Sequence, residues 1–151
     1  AVQTMLFLGR GVGFPVALEG ALKLKELAYI HAEGFPAGEL KHGPIALIED
    51  DLPVVVVVPS PRGVKLLHSK IVSNIQEIRA RGARTIVIAE EGDEAVREFA
   101  NYLIEIPATS SIMQPLLATV PLQFLAADIA RQCGNEDIDK PRNLAKSVTV
   151  E

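Results

Sequence analysis

Two runs in this chain, "PVVVVVP" (Pro53 to Pro59) and "RTIVIAE" (Arg84 to Glu90), are almost unbroken in β-branched residues and have no polar face. A strand without a polar face must be covered on both sides, and such strands belong to parallel sheets sheathed by helices. Two further apolar runs bounded by turn residues, "TMLFLG" (Thr4 to Gly9) and "YLIEIP" (Tyr102 to Pro107), read as strands of the same sheet. Between the runs, helical periodicity covers about Phe14 to Ile30, Gly63 to Arg81 and Ile112 to Gln132, with a short piece from Asp93 to Asn101. Strand and helix alternate, so the expected fold is α/β, doubly wound in three layers. The loop from Ala32 to Pro44 and the polar tail from Gly134 to Glu151 stand outside the alternation.

A chain of 151 residues that is 48% hydrophobic fills one sizeable core, and nothing in it reads as a repeat or a linker. Fifteen Lys and Arg against nineteen Asp and Glu give a formal charge of −4, which argues against nucleic acid and anionic membranes as partners. With Cys133 as the single cysteine, no intramolecular disulfide forms, and a reducing, cytoplasmic setting is expected. No run reaches the ~18 uncharged apolar residues of a spanning helix, and no export signal opens the chain. Ala1, followed almost at once by strand-like sequence, gives the expectation of a piece cut from a longer polypeptide at a domain boundary.

Candidate chemistry begins at "GRGVG", Gly9 to Gly13, which follows a strand and opens a helix. A dinucleotide fingerprint needs its third glycine where Phe14 stands and an acid at the end of the next strand, where Val58, Pro59 and Ser60 stand instead. A tight strand-to-helix turn is the better reading. On the helix that follows, Ala17, Ala21, Leu24 and Ala28 share one side for close packing, while Glu19, Lys23 and Glu26 form a stripe on the other. As a solvated face the stripe holds ion pairs worth a few tenths of a kcal/mol each. In a pocket, Glu26 is instead a proton shuttle, with Lys23 holding an anionic oxygen or tuning the carboxylate.

In "GELKHGP", Gly38, Gly43 and Pro44 frame Lys41 and His42, which sets a titratable imidazole on a shaped loop. Of the other histidines, His31 reads as the end of the first helix, facing its dipole, and His68 as part of a surface helix. The tail segment "LAKSVTVE" alternates like an ordered edge strand, which allows it to carry Lys146 into a site. "VPSPRG" offers one hydroxyl, Ser60, as a phosphate cradle, and "TSS" (Thr109 to Ser111) reads as an N-cap by Ser110 or Ser111.

Taken together, "ALEGALKLKELAYIHAEGFPAGELKHGP" and the terminal "PRNLAKSVTVE" resemble the second sugar-isomerase (SIS) half of the glutamine:fructose-6-phosphate amidotransferase (isomerizing) family, over the whole chain. The resemblance implies a flavodoxin-like, mostly parallel sheet and one SIS domain over residues 1–151, with a catalytic tail at about 135–151. It implies that Glu26 moves a proton between the first and second sugar carbons and that Lys23 assists. It implies that His42 opens the sugar ring from a neighbouring subunit of a homodimer, and that Lys146 forms an imine with the open-chain ketose. Substrate contacts are implied at Ala145 and Glu19. Fructose-6-phosphate and glucosamine-6-phosphate are the implied ligands, no cofactor or metal is expected, and the implied partners are a first SIS domain and a glutaminase domain. A non-catalytic SIS module that binds sugar phosphates or holds a dimer is the competing reading.

Overall fold

The computed structural model describes residues 2–143. Five strands form one wholly parallel sheet: β1 (Thr4–Gly9), β2 (His31–Pro36), β3 (Pro53–Val57), β4 (Arg84–Glu90) and β5 (Tyr102–Ile106), in the order β2-β1-β3-β4-β5. That is the flavodoxin-like order, with its switch point between β1 and β3. The helices are α1 (Gly13–Ala28), α2 (Lys65–Arg79), α3 (Glu94–Arg97) and α4 (Gln114–Gln132), and two short 3-10 helices, Ala37–His42 and Pro44–Leu47, follow β2.

The β-branched runs do what their composition requires. Val55 and Val57 of β3 face the layer made by α1 and α4, while Val54 and Val56 face the layer made by α2, α3 and the first 3-10 helix. All four are buried, each side chain contributing about 1.5–3 kcal/mol of transfer free energy. The small residues of α1 allow close approach not only to the sheet but also to α4. A Cβ at Gly20 would meet both Leu122 methyls and the Phe7 ring at 3.0 Å.

"GRGVG" is the tight turn expected of it. A Cβ at Gly9 would fall 2.1 Å from the Gly13 carbonyl oxygen, so only glycine lets β1 pass into α1 this closely. Three expectations need correction. Residues 31–36, read as the end of a helix and a loop, form strand β2, which among the described residues is an edge strand paired only with β1. His31 therefore opens a strand: α1 stops at Ala28 because Tyr29 takes the left-handed conformation at φ 58°. Neither Ser110 nor Ser111 caps α4 with its side chain; the Ser110 carbonyl accepts from the amides of Met113 and Gln114 instead.

Candidate active site

The charged stripe of α1 exists as a linked set. Lys23 Nζ donates to Glu26 Oε2 at 2.6 Å and lies 3.8 Å from Glu19 Oε1. The bond to Glu26 raises the Lys23 pKa, partial burial pulls it down, and the charges of Glu26 and Glu19 raise it further. Lys23 is thus held as an ammonium: a donor and a positive charge, not a base. The Glu26 side chain remains 44% exposed, open to a reactant on its free edge.

Beyond Glu26 the helix end is built by Tyr29. A non-glycine residue in the left-handed region costs about 1–2 kcal/mol, so something must hold it there. Arg142 does so twice: its backbone N–H donates to the Tyr29 hydroxyl at 2.8 Å, and its guanidinium lies 4.0 Å from the ring centroid. This contact, across 113 positions of sequence, sets residue 142 beside the end of α1. Between them is an open cavity of about 430 Å³ lined by Glu26, Tyr29, His31, Arg142 and Asn143. Ala145 and Lys146 lie outside the described residues.

His42 is elsewhere. It ends the first 3-10 helix, its Nδ1 2.7 Å from Glu39 Oε2, and its side chain is 71% exposed. A carboxylate on Nδ1 favours the tautomer that leaves Nε2 as a free acceptor. Gly43, at φ 152°, then reverses the chain into the second 3-10 helix. Glu26 precedes β2 and His42 follows it, and the six residues of β2 span ~20 Å. One copy of the chain brings Glu19, Lys23, Glu26 and the tail's base together and leaves His42 apart.

A buried polar network at the carboxyl ends of β3 and β4 has no counterpart in the sequence reading. Ser60, weighed as a phosphate cradle, is sealed: its amide donates to Gln114 Oε1 at 3.0 Å and its hydroxyl accepts from the Arg62 amide at 3.2 Å. Gln114 also donates to the Val58 carbonyl, tying the start of α4 to β3. Arg62 Nε donates to Glu90 Oε1 at 2.7 Å. Burial pushes the Glu90 carboxyl up, but the bonds from Arg62 and Ser60 and the Arg62 charge outweigh it, and the net shift is downward. His68, read as a surface residue, is nearly buried with Nε2 2.6 Å from Asp93 Oδ2, while Asp93 also caps α3. The signal for these residues is not local, because the side-chain partners Gln114 of Ser60, Glu90 of Arg62 and Asp93 of His68 lie 54, 28 and 25 positions away.

Comparison with known proteins agrees with this fold. The chain is 78% identical over 149 residues to the glutamine–fructose-6-phosphate aminotransferase (isomerizing) of Streptomyces coelicolor, covering 99% of this chain and 24% of that protein. It thus spans about a quarter of the length of the curated relatives it matches. The C-terminal domain of the Francisella tularensis glucosamine-fructose-6-phosphate aminotransferase superposes with a TM-score of 0.79 at 44% identity, over 91% of this chain and 38% of that one. The Escherichia coli tagatose-6-phosphate ketose/aldose isomerase superposes at 0.72 with 25% identity, over 92% of this chain and 37% of that one. The model of the SIS domain matches residues 2–130, and with the sheet order described above this places the chain in the SIS domain family.

Proposed function

We propose that this chain supplies isomerase-site side chains to an enzyme that makes glucosamine-6-phosphate and glutamate from fructose-6-phosphate and glutamine. In this reading residues 1–151 are one SIS domain, the tail from about 135 enters the site, and the enzyme works in the cytoplasm as a homodimer. A first SIS domain and a glutaminase domain complete it. The observation that carries the reading is the 2.6 Å Lys23–Glu26 pair, held on an open face of α1 beside the cavity where the tail begins.

The chemistry follows from the groups. The Lys146 amine attacks the C2 carbonyl of the open-chain ketose and water leaves, giving an imine; ammonia released from glutamine displaces the lysine, giving the fructosimine. Glu26 takes a proton from C1 and returns it to C2 while the C1 hydroxyl proton passes to the imine nitrogen, which turns the fructosimine into the amino aldose. Lys23, held as an ammonium, keeps Glu26 oriented and offers a charge to the developing oxyanion. His42 of a second copy, with Nε2 free, takes the proton for ring opening. Its exposure and its distance from Glu26 within one copy support a role in another copy's site.

The competing reading is an SIS module that only docks. Ile112 and Met113 and, four apart along α4, Leu116, Val120 and Phe124 are exposed apolar residues that suit a covered face. Replacing Glu26 by Gln in the complete enzyme separates the two. Catalysis predicts that isomerisation falls about 10²–10⁴-fold while glutamine hydrolysis persists. Unchanged isomerisation leaves only docking.

A further inference from the structure

The end of α1 that carries Glu26 is held by a second contact, made across 108 positions of sequence, to which the proposed reaction gives no role. Asn135 Nδ2 donates to the Leu27 carbonyl at 3.0 Å. Leu27 follows Glu26 directly, and its carbonyl is among the last four of the helix, for which the helix itself offers no donor. Such an end frays unless a group from outside closes it. This one has a further reason to fray, because Tyr29 and not a glycine takes the left-handed position that ends it.

Asn135 is itself aimed by the way α4 stops. Gly134 is left-handed at φ 86°, its amide donates to the Arg131 carbonyl at 2.9 Å, and the Asn135 amide donates to the Ala130 carbonyl at 2.9 Å. These two bonds are the glycine closure common at helix ends, and they fix the residue after the glycine. The ends of α1 and α4 are packed together as well: Ala28, Ala126 and Ala130 are buried in one cluster, against which Leu27 and Ile138 also pack. With the Tyr29–Arg142 contact beyond, residues 135–142 run beside the end of α1 fixed at three places.

We propose, on the reading of Glu26 as the proton carrier, that Asn135 is a positioning residue for it: by holding the Leu27 carbonyl, Asn135 keeps the last turn of α1 wound and so fixes where the Glu26 carboxylate stands relative to the sugar carbons. The Lys23 bond cannot do this alone, because Lys23 and Glu26 ride on the same helix and move together if its end unwinds. Asn135 ties that end to α4, a different element. A general base must stand within hydrogen-bond reach of the proton it takes. A misplacement of about 1 Å in such a group costs about 100-fold in rate.

The test is steady-state kinetics of the complete enzyme carrying Asn135→Asp, an isostere that cannot donate when ionised, or Asn135→Gln, which keeps an amide donor. For Asn135→Asp, kcat for isomerisation falls about tenfold while KM for fructose-6-phosphate stays within about twofold and glutamine hydrolysis is unchanged. Asn135→Gln recovers most of the loss. Combined with Glu26→Gln, Asn135→Asp costs nothing further, because the group it positions is gone. Where the introduced charge unfolds the segment, Asn135→Ala carries the same expectation. A folded Asn135→Asp or Asn135→Ala enzyme with a lowered melting temperature and an unchanged kcat, beside a Glu26→Gln enzyme that has lost isomerisation, overturns the positioning role alone. A further loss on top of Glu26→Gln overturns it too, since Asn135 then acts through another group. Isomerisation that survives Glu26→Gln overturns the reading of Glu26 itself.

Discussion

Two ion pairs of nearly equal length behave differently in this chain. Lys23–Glu26, at 2.6 Å, stands on an open helix face, whereas Arg62–Glu90, at 2.7 Å, has a carboxylate that is only 5% exposed. Among the described residues Glu90 is the carboxylate whose ionisation the fold shifts, and a search for perturbed acids would stop there. Yet Glu90 is closed in by Arg62, Ser60 and the Arg62 contact to the Thr109 carbonyl, leaving no edge for a reactant. A shifted carboxylate marks where folding has fixed a charge. Access, with a donor already in place, marks where chemistry is possible.

The contrast breaks first at the buried pair. Arg62→Met leaves Glu90 buried without its cation, and the largest loss of stability of the series is expected at neutral pH by denaturant unfolding. The pH dependence has a definite sign. In the native chain the Glu90 carboxyl is held below its unfolded value, so its contribution is present above about pH 4.3 and is lost as pH falls through the folded value. Without Arg62, burial is opposed only by the smaller effect of the Ser60 bond, so the penalty of the variant shrinks on acidification. A penalty that grows below pH 4 would place the stabilisation elsewhere.

Next in size is the tail anchor. Tyr29→Phe keeps the ring under Arg142 but removes the acceptor of its N–H, and about 1 kcal/mol is expected in thermal unfolding. In the complete enzyme the same change should lower kcat more than it alters KM if the anchor delivers the tail. The smallest effect belongs to the exposed pair: Lys23→Met should alter stability by only a few tenths of a kcal/mol. The folded Lys23 pKa is raised, so the contribution is fully present below the unfolded value of about 10.4 and vanishes as pH rises through the folded one. Wild type and variant therefore converge only in strong alkali.

What could be read in the sequence follows the range over which each signal acts. The bounds of β1 and β4 and the stripe on α1 were legible because β-branched runs and three- and four-residue spacing are local. Edge strand β2 was not: its outward residues, His31 and Glu33, are polar, and Gly34 and Pro36 are turn residues, so only pairing with β1 makes it a strand. The Arg62–Glu90 pair, the Tyr29–Arg142 contact and the Asn135–Leu27 bond join residues from distant elements, and no spacing announces them.

The account rests on Glu26 of one copy working with His42 of another. Mixing the Glu26→Gln and His42→Asn variants of the complete enzyme under subunit exchange tests it directly. A shared site restores about a quarter of wild-type isomerisation, since half the dimers then hold one intact site of two. A mixture as inactive as its two components would show that the acid and the imidazole do not meet across subunits.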